Sequence, residues 1–400
     1  MDYRTFGSDL FSNAGDVAAT LFDEIANTFS GEPACLRDGT EFDPVSLPRD
    51  LAAHRNVQTE WWYYTGHLQT VRKRRFGFEL VFFKRRTDLD RFSVVPLRLL
   101  GNPFYFAHFA VTDLDNRCFS YAHRKSANGQ FDLPASASES HYHLRIGDWT
   151  AREASGDHLL RAAIDHKLLF EASLRPIKPP VLVGTGGVSY KDEGQASRYF
   201  AYPRMAVEGD IVIDGNVEHF SGEGWMDREF GTWESTSNQK GWDWFSIQLD
   251  NEVEIMVYQI RDADGVPTKY SRGYVCFQDG SVKQIDHEKF ELEVMDLWTS
   301  PHSGAIYPSG WKLSLREYEI ELLVMPTLKD QELDTRGTTM IIYWEGACAV
   351  KGTFKGKDAT GKAYVELVGY DRSHESPDLS RFLIGNLFEG FNMWTFNGKN

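Results

Sequence analysis

The run Trp61-Trp62-Tyr63-Tyr64-Thr65-Gly66-His67-Leu68, leading on to Phe76-Gly77-Phe78-Glu79-Leu80-Val81-Phe82-Phe83, decides the fold class. Phe76, Phe78, Leu80 and Phe82 recur at every second position, the period of a β-strand and not of a helix. Working outward, Ile211 and Ile213 alternate in the same way ahead of the turn pair Asp214-Gly215. Further turn pairs at Asp250-Asn251, Asp264-Gly265 and Asp279-Gly280 each sit between alternating segments. Many short antiparallel strands over about 300 residues predict sandwiches or closed barrels, because one open sheet of that length would leave long edges unpaired.

A weak internal repeat divides this all-β body. Trp61-Trp62-Tyr63-Tyr64, leading to Phe82-Phe83-Lys84-Arg85, is similar to Trp242-Asp243-Trp244-Phe245, leading to Val257-Tyr258-Gln259-Ile260-Arg261. The closing segments align as Glu208-Gly209, Ile213, Gly215, then Gly222 to Asp227, against Glu345-Gly346, Val350, Gly352, then Gly361 to Glu366. Two tandem copies of one β unit follow, meeting in the Ser/Thr/Asn-rich stretch from Thr232 to Lys240. The expected division is an N-terminal helix and linker over 1–50, a first barrel over 51–235, a second over 240–372, and a C-terminal helix and tail over 373–400. The first helix rests on Val17, Ala18, Leu21, Phe22, Ile25, Ala26 and Phe29 at helical spacing behind Asp16, the second on Pro377 to Phe388.

The chain has 400 residues, 42% hydrophobic and 25% charged, which excludes a disordered or fibrous protein. Its 43 basic and 58 acidic residues leave a net charge of −15, a field that repels phosphate backbones, so no nucleic-acid partner is expected. Aromatics are in excess: 27 Phe, 17 Tyr and 11 Trp point to an aromatic-lined cavity for a hydrophobic small molecule. Cys35, Cys118, Cys276 and Cys348 stand singly, without C-x-x-C spacing, which fits a reducing compartment and no zinc ribbon. With no basic n-region and h-region at the start, and nothing near the ~18 apolar residues of a membrane span, a cytoplasmic protein without a transmembrane segment is expected. Oligomeric state is not legible.

No H-E-x-x-H, G-x-S-x-G, Walker A or G-x-G-x-x-G motif occurs, so zinc peptidase, serine hydrolase, NTPase and dinucleotide chemistry are disfavoured, and no metal or cofactor is expected. His141 and His143 would share a strand face, but no third ligand is near in sequence. Five clusters join ionisable groups to Trp or Tyr: Glu60 with Trp61, Trp62 and His67; His108 with Asp113; Trp225 with Asp227, Arg228 and Glu229; Trp242-Asp243-Trp244; and Tyr343-Trp344-Glu345. In strands, Trp225, Asp227 and Glu229 share one face, as do Trp242 and Trp244, with Asp243 on the other. A carboxyl pressed against indole rings is desolvated and holds its proton to higher pH, as a general acid must. The alternative is a salt-bridged barrel rim with the tryptophans in the core.

Taken together, Glu60-Trp61-Trp62-Tyr63-Tyr64-Thr65-Gly66-His67-Leu68, Ala107-His108-Phe109-Ala110, Gly224 to Glu229, Gly241-Trp242-Asp243-Trp244-Phe245 and Tyr343-Trp344-Glu345-Gly346 resemble the lipocalin-like family of carotenoid 1,2-hydratases and AttH proteins. The resemblance runs from about His54 to Tyr370. It implies two consecutive lipocalin-like antiparallel barrels. It also implies cofactor-free chemistry on a hydrophobic isoprenoid or polyketide-type substrate, as hydration of a C=C bond or Diels-Alder-type cyclisation. The chain departs from the hydratases where they carry Asp-His-Asn-Trp-Gly and it carries Asp227-Arg228-Glu229-Phe230-Gly231. A Y-x-D element is likewise replaced by Tyr258-Gln259-Ile260-Arg261.

The resulting expectation is a lyase or cyclase in which Glu229 or Asp227 is the acid and Asp243 a further candidate. Trp62, Trp225, Trp242, Trp244 and Trp344 form the substrate wall. Tyr258 and Tyr343 orient substrate or water, and His108 carries protons. A Diels-Alderase-like pericyclic cyclase and a non-catalytic binding protein are the alternatives.

Overall fold

A computed structural model of the chain describes residues 43–88, 90–92, 95–96, 101–128, 132–232 and 239–371. Both expected terminal helices, most of the N-terminal linker and residues 233–238 of the inter-unit stretch lie outside these. The described chain is almost wholly antiparallel β, in two large curled sheets that form tandem lipocalin-like barrels.

The first sheet is built around two long hairpins, Thr59–Thr70 with Arg75–Arg85 and Gln195–Ile213 with Asn216–Gly231, joined where Thr59–Thr70 pairs with Asn216–Gly231. Its path ends come back towards each other, Cys118–Ser126 packing beside Asp157–Ile164 and His143–Ile146. The second sheet repeats the plan with Gln239–Leu249 and Glu254–Asp262, then Ile342–Phe354 and Lys357–Val368, joined where Gln239–Leu249 pairs with Lys357–Val368. The turn pairs at Asp214-Gly215, Asp250-Asn251 and Asp279-Gly280 close hairpins as their chemistry requires, and Asp264-Gly265 lies in the loop after Glu254–Asp262.

The ladders refine the repeat. Tyr63 lies opposite Asp227 as Trp244 lies opposite Glu366, so Trp61, Tyr63, Trp225 and Asp227 correspond to Trp242, Trp244, Tyr364 and Glu366. In the preceding strand the correspondence differs from the one read in sequence. Gly209 lies opposite Phe220 and Gly352 opposite Ala359, so Gly209 matches Gly352 and not Gly346. At both positions a Cβ would strike the backbone of the neighbouring strand, a constraint on close approach that outlasts the different hairpin lengths.

Strand alternation gives each barrel an inner and an outer face, and both faces are buried along the joining strands. Trp62, Tyr64, Phe78, Phe170, Phe220 and Phe230 fill the first interior; Phe245, Trp311, Trp344 and Val365 fill the second. A third core, the seam, forms where the outer faces meet and contains Tyr63, Val81, Tyr199, Trp225, Trp244 and Tyr364. The aromatic excess therefore covers three packed cores. On one side the seam is pinned by ions: Arg204 donates to Glu254 at 2.6 Å and to the Leu249 carbonyl at 2.8 Å, and Lys178 reaches Glu254 at 2.7 Å. Among the described residues no helix is long and apolar enough to cross a membrane.

Candidate active site

Because Met226, Arg228 and Phe230 point into the first barrel, their neighbours Trp225, Asp227 and Glu229 point out into the seam, sharing a face as their spacing predicts. The second barrel contributes Trp242, Trp244, Tyr364 and Glu366 by the same alternation, since Phe245, Val365 and Leu367 fill its interior.

Asp227 is almost fully buried. One carboxyl oxygen accepts from Trp225 Nε1 at 2.7 Å, and the other accepts from the Tyr199 hydroxyl. That hydroxyl in turn accepts from Trp244 Nε1 at 3.0 Å. Burial pushes the Asp227 carboxyl up to about 7, outweighing the two donors that favour the anion, and the nearby Glu229 and Glu366 push the same way. The rings around it meet edge to face, Tyr63 on Trp244 at 5.1 Å and Trp225 on Trp244 at 6.1 Å.

Glu229, two residues on, sits differently. Lys191 Nζ lies 2.6 Å from its carboxylate and the Ser197 hydroxyl donates to the same oxygen. Lys191 also lies over the Tyr258 ring at 4.7 Å, and the Tyr258 hydroxyl is bonded to Ser189 Oγ at 2.7 Å. Glu229 is thus held in an ion pair, where Asp227 has only neutral donors. Arg228, beside it in sequence, faces the opposite way and pairs with Glu60 inside the first barrel at 2.6 Å.

A row of carboxyls runs past Trp244. Glu366 lies opposite Trp244 on one side and opposite Glu345 on the other, and it accepts from Trp242 Nε1 at 3.0 Å. Burial raises Glu366 to about 7. Glu345 accepts from the Tyr63 hydroxyl at 3.0 Å through one oxygen, and none of the described residues donates to the other. Among the described residues, neither oxygen of the fully buried Glu79 has a donor. Burial and the shared negative charge hold Glu79 and Glu345 well above the usual carboxylate range. Glu79 and Glu366 were not singled out in the sequence. The available signals were a lone carboxylate in a strand apolar on both faces, and the alignment of Glu366 with Asp227.

The remaining candidates are more scattered. His108 is bonded to the Tyr343 hydroxyl at 2.7 Å and to Thr338 at 3.2 Å on the flank of the seam, and burial keeps its ring neutral. Asp243 faces away from Trp242 and Trp244: Tyr370 donates to it at 3.0 Å, and Arg261 Nε is 3.3 Å away, close enough for charge attraction but poorly aligned for a hydrogen bond. Burial lifts Asp243 to about 6. Trp62 and Trp344 are not brought to this place; each fills its own barrel and donates to a backbone carbonyl, Leu51 and Lys329, at 2.7 Å. Trp242 is 40% exposed and marks where the carboxyl row meets solvent. His141 lies in the bend before the strand that begins at His143, not on a shared strand face. Among the described residues no group of three His, Cys, Asp or Glu side chains is arranged to hold a metal.

The seam is closed. A void of about 10 Å³, room for about one water, is bordered by His67, Trp225, Ser246, Gln248 and Tyr364. A second of about 10 Å³ lies by Trp62, Phe82 and Tyr105.

No curated protein matches the sequence. Among solved structures, an AttH-type protein from Nitrosomonas europaea is 28% identical, covering 84% of this chain and 100% of that one, with a TM-score of 0.74. Kievitone hydratase from Nectria haematococca shares the fold at 15% identity, covering 85% and 97%, with a TM-score of 0.63. CghA, also solved with Sch210972, shares it at 12% identity, 85% and 97% coverage and a TM-score of 0.50. The AttH-like family profile matches residues 38–370, which takes in both barrels and the whole seam with its carboxyl row, and the protein therefore belongs to the AttH-like family.

Proposed function

We propose that this protein is an enzyme that performs acid-assisted hydration or cyclisation at a carbon–carbon double bond of a hydrophobic isoprenoid or polyketide-type substrate, without a cofactor, with Asp227 as the acid. The observation that carries this is the Asp227 carboxyl, held protonated to about pH 7 by burial yet already facing the two donors, Tyr199 and Trp225, that its anion needs. As the proton passes to carbon, charge develops on Asp227 where those dipoles are preorganised. The cation left on the substrate faces the Trp244 and Tyr63 rings. Names of two fold neighbours, kievitone hydratase and CghA, are consistent with small-molecule chemistry on this scaffold. The closed seam requires side chains to move on substrate entry, and the exposed Trp242 marks the side from which it enters.

The test pairs a substrate screen with one variant. Kievitone, a linear polyene and a polyketide triene are incubated with the full chain, and products are read by mass. A gain of one water or an isomer of equal mass, with Asp227→Asn slower by roughly 10² to 10⁴-fold at unchanged binding, supports the reading. An isomer formed equally well by Asp227→Asn shows a pericyclic cyclase that acts by folding its substrate. Saturable tryptophan quenching with every compound returned unchanged shows a binding protein.

A further inference from the structure

The repeat places a second carboxyl, Glu366, where symmetry expects a counterpart to Asp227. The two flank one ring: Trp244 reaches Asp227 through the Tyr199 hydroxyl and is the direct cross-strand neighbour of Glu366. Two residues before each carboxyl, on the same face, stand Trp225 and Tyr364, and both border the water-sized void. Tyr364 is buried, and Thr112 lies within side-chain hydrogen-bonding reach of it. Resting on the reading of Asp227 as an acid, we propose that Glu366 is the general base of a hydration reaction, taking the proton of the attacking water on one side of Trp244 while Asp227 protonates the alkene on the other.

The step balances. The Asp227 O–H breaks as the substrate C–H forms, the π pair becoming that bond and leaving a cation. Water oxygen bonds to the cation and loses one proton to the Glu366 carboxylate, giving the alcohol. Asp227 ends ionised and Glu366 protonated, and one proton moved from Glu366 back to Asp227 restores both. Glu366 suits the basic role because its neighbours in the row, Glu79 and Glu345, retain their own protons and leave it the carboxylate that Trp242 supports. The titratable groups whose charge reaches it are Tyr63, Glu79, Asp227, Glu229, Tyr343 and Glu345 and, from the opposite strand face, Asp243, and the cation nearest Glu229, Lys191, is taken up by that pair.

The test uses Glu366→Gln and Glu366→Asp in the full chain, with an alkene that wild type hydrates. Glu366→Gln should lose turnover by roughly 10²-fold or more at unchanged KM, and Glu366→Asp should recover part. The limb of the wild-type kcat profile that rises with pH should vanish in Glu366→Gln, and the falling limb should vanish in Asp227→Asn. Infrared titration of buried carboxyls, which needs no substrate, should lose one near-neutral component in each variant. Glu366→Gln with wild-type turnover and an intact rising limb overturns the role of Glu366 and leaves Asp227 standing. Loss of stability with turnover per folded molecule unchanged also overturns it. A wild type that hydrates none of the alkenes, including kievitone, overturns the base assignment together with the reading it rests on, whatever the infrared components show.

Discussion

Arg228 stands where the carotenoid hydratases carry a histidine, and replacing it tests whether that position serves the reaction or the fold. Its guanidinium is fully buried in the first barrel, 3.8 Å from the centre of the Trp62 ring. It donates to Glu60 at 2.6 Å, to the Ala52 carbonyl at 2.9 Å and to the Asp50 carbonyl at 3.1 Å. Glu60 is also met by Lys84 at 3.0 Å and by the ring of His54 at 3.1 Å. Arg228→Met keeps the stem and removes the charge, taking a donor from Glu60 and from the carbonyls of Asp50, Ala52, Trp61 and Glu229. Breaking a buried pair from one side costs about 3 to 5 kcal/mol, against a total of about 5 to 15 for an ordinary domain. Urea unfolding followed by tryptophan emission measures it. Adding Glu60→Gln should not restore the loss, because Lys84 still pairs with Glu60 in the single variant and is stranded in the double one. Turnover per folded molecule should not change, since this side chain faces away from the seam. A stability loss under about 1 kcal/mol, or a stable variant that has lost turnover, would refute the separation of barrel interior from seam on which the whole site assignment depends.

Glu229→Gln strands Lys191, so it should lose about 3 to 5 kcal/mol of stability while retaining turnover, and a stable but inactive variant would return the acid role to Glu229. Glu366 is raised from 4.5 to about 7 in the folded chain, so the folded state holds this proton more tightly and stability drains away as pH climbs from 4.5 to about 7. Glu366→Gln should therefore change little at pH 4.5 and gain up to about 3 kcal/mol at pH 8 in thermal melts; an equal shift at both pH values would contradict this. A Cβ on Gly77 would lie 2.7 Å from Ala347 Cβ across the seam, so Gly77→Ala should cost about 1 to 3 kcal/mol, and an unchanged melting temperature would mean that the barrels give way freely there.

The all-β class and the tandem plan were readable because period-two alternation and turn chemistry are local, and because a duplicated hairpin repeats them. What local pattern does not carry is which face meets another barrel. Trp62 and Trp225 look alike in sequence, each an aromatic in a strand beside ionisable residues. One fills a barrel and the other lines the seam, a difference set by how the two sheets pack. The ion-pair partner of Glu229, Lys191, was not readable because it lies 38 positions away on a strand that only the ladder with Gln195–Ile213 brings alongside. Asp227 and Glu229 were placed on one face correctly, and the cation that separates their chemistry is a tertiary contact.

The same duplication explains why the two matched carboxyls need not do the same work. Across the ladder from Asp227 stand Tyr63 and Ala201, so no second carboxyl faces it from either adjoining strand. At the corresponding place beside Glu366 stand Trp244 and Glu345, where like charges directly opposite each other oppose simultaneous ionisation. Asp227 instead has Tyr199, whose hydroxyl is fixed by Trp244 and waits for the anion. One copy of the unit thus offers preorganised donors to a carboxylate about to form, while the other offers neighbouring carboxyls that keep their own protons. Both carboxyls are raised to about 7, so on the proposed reading it is their surroundings, Tyr199 and Ala201 beside Asp227 against Trp242 and Glu345 beside Glu366, that assign one to give a proton and the other to receive it.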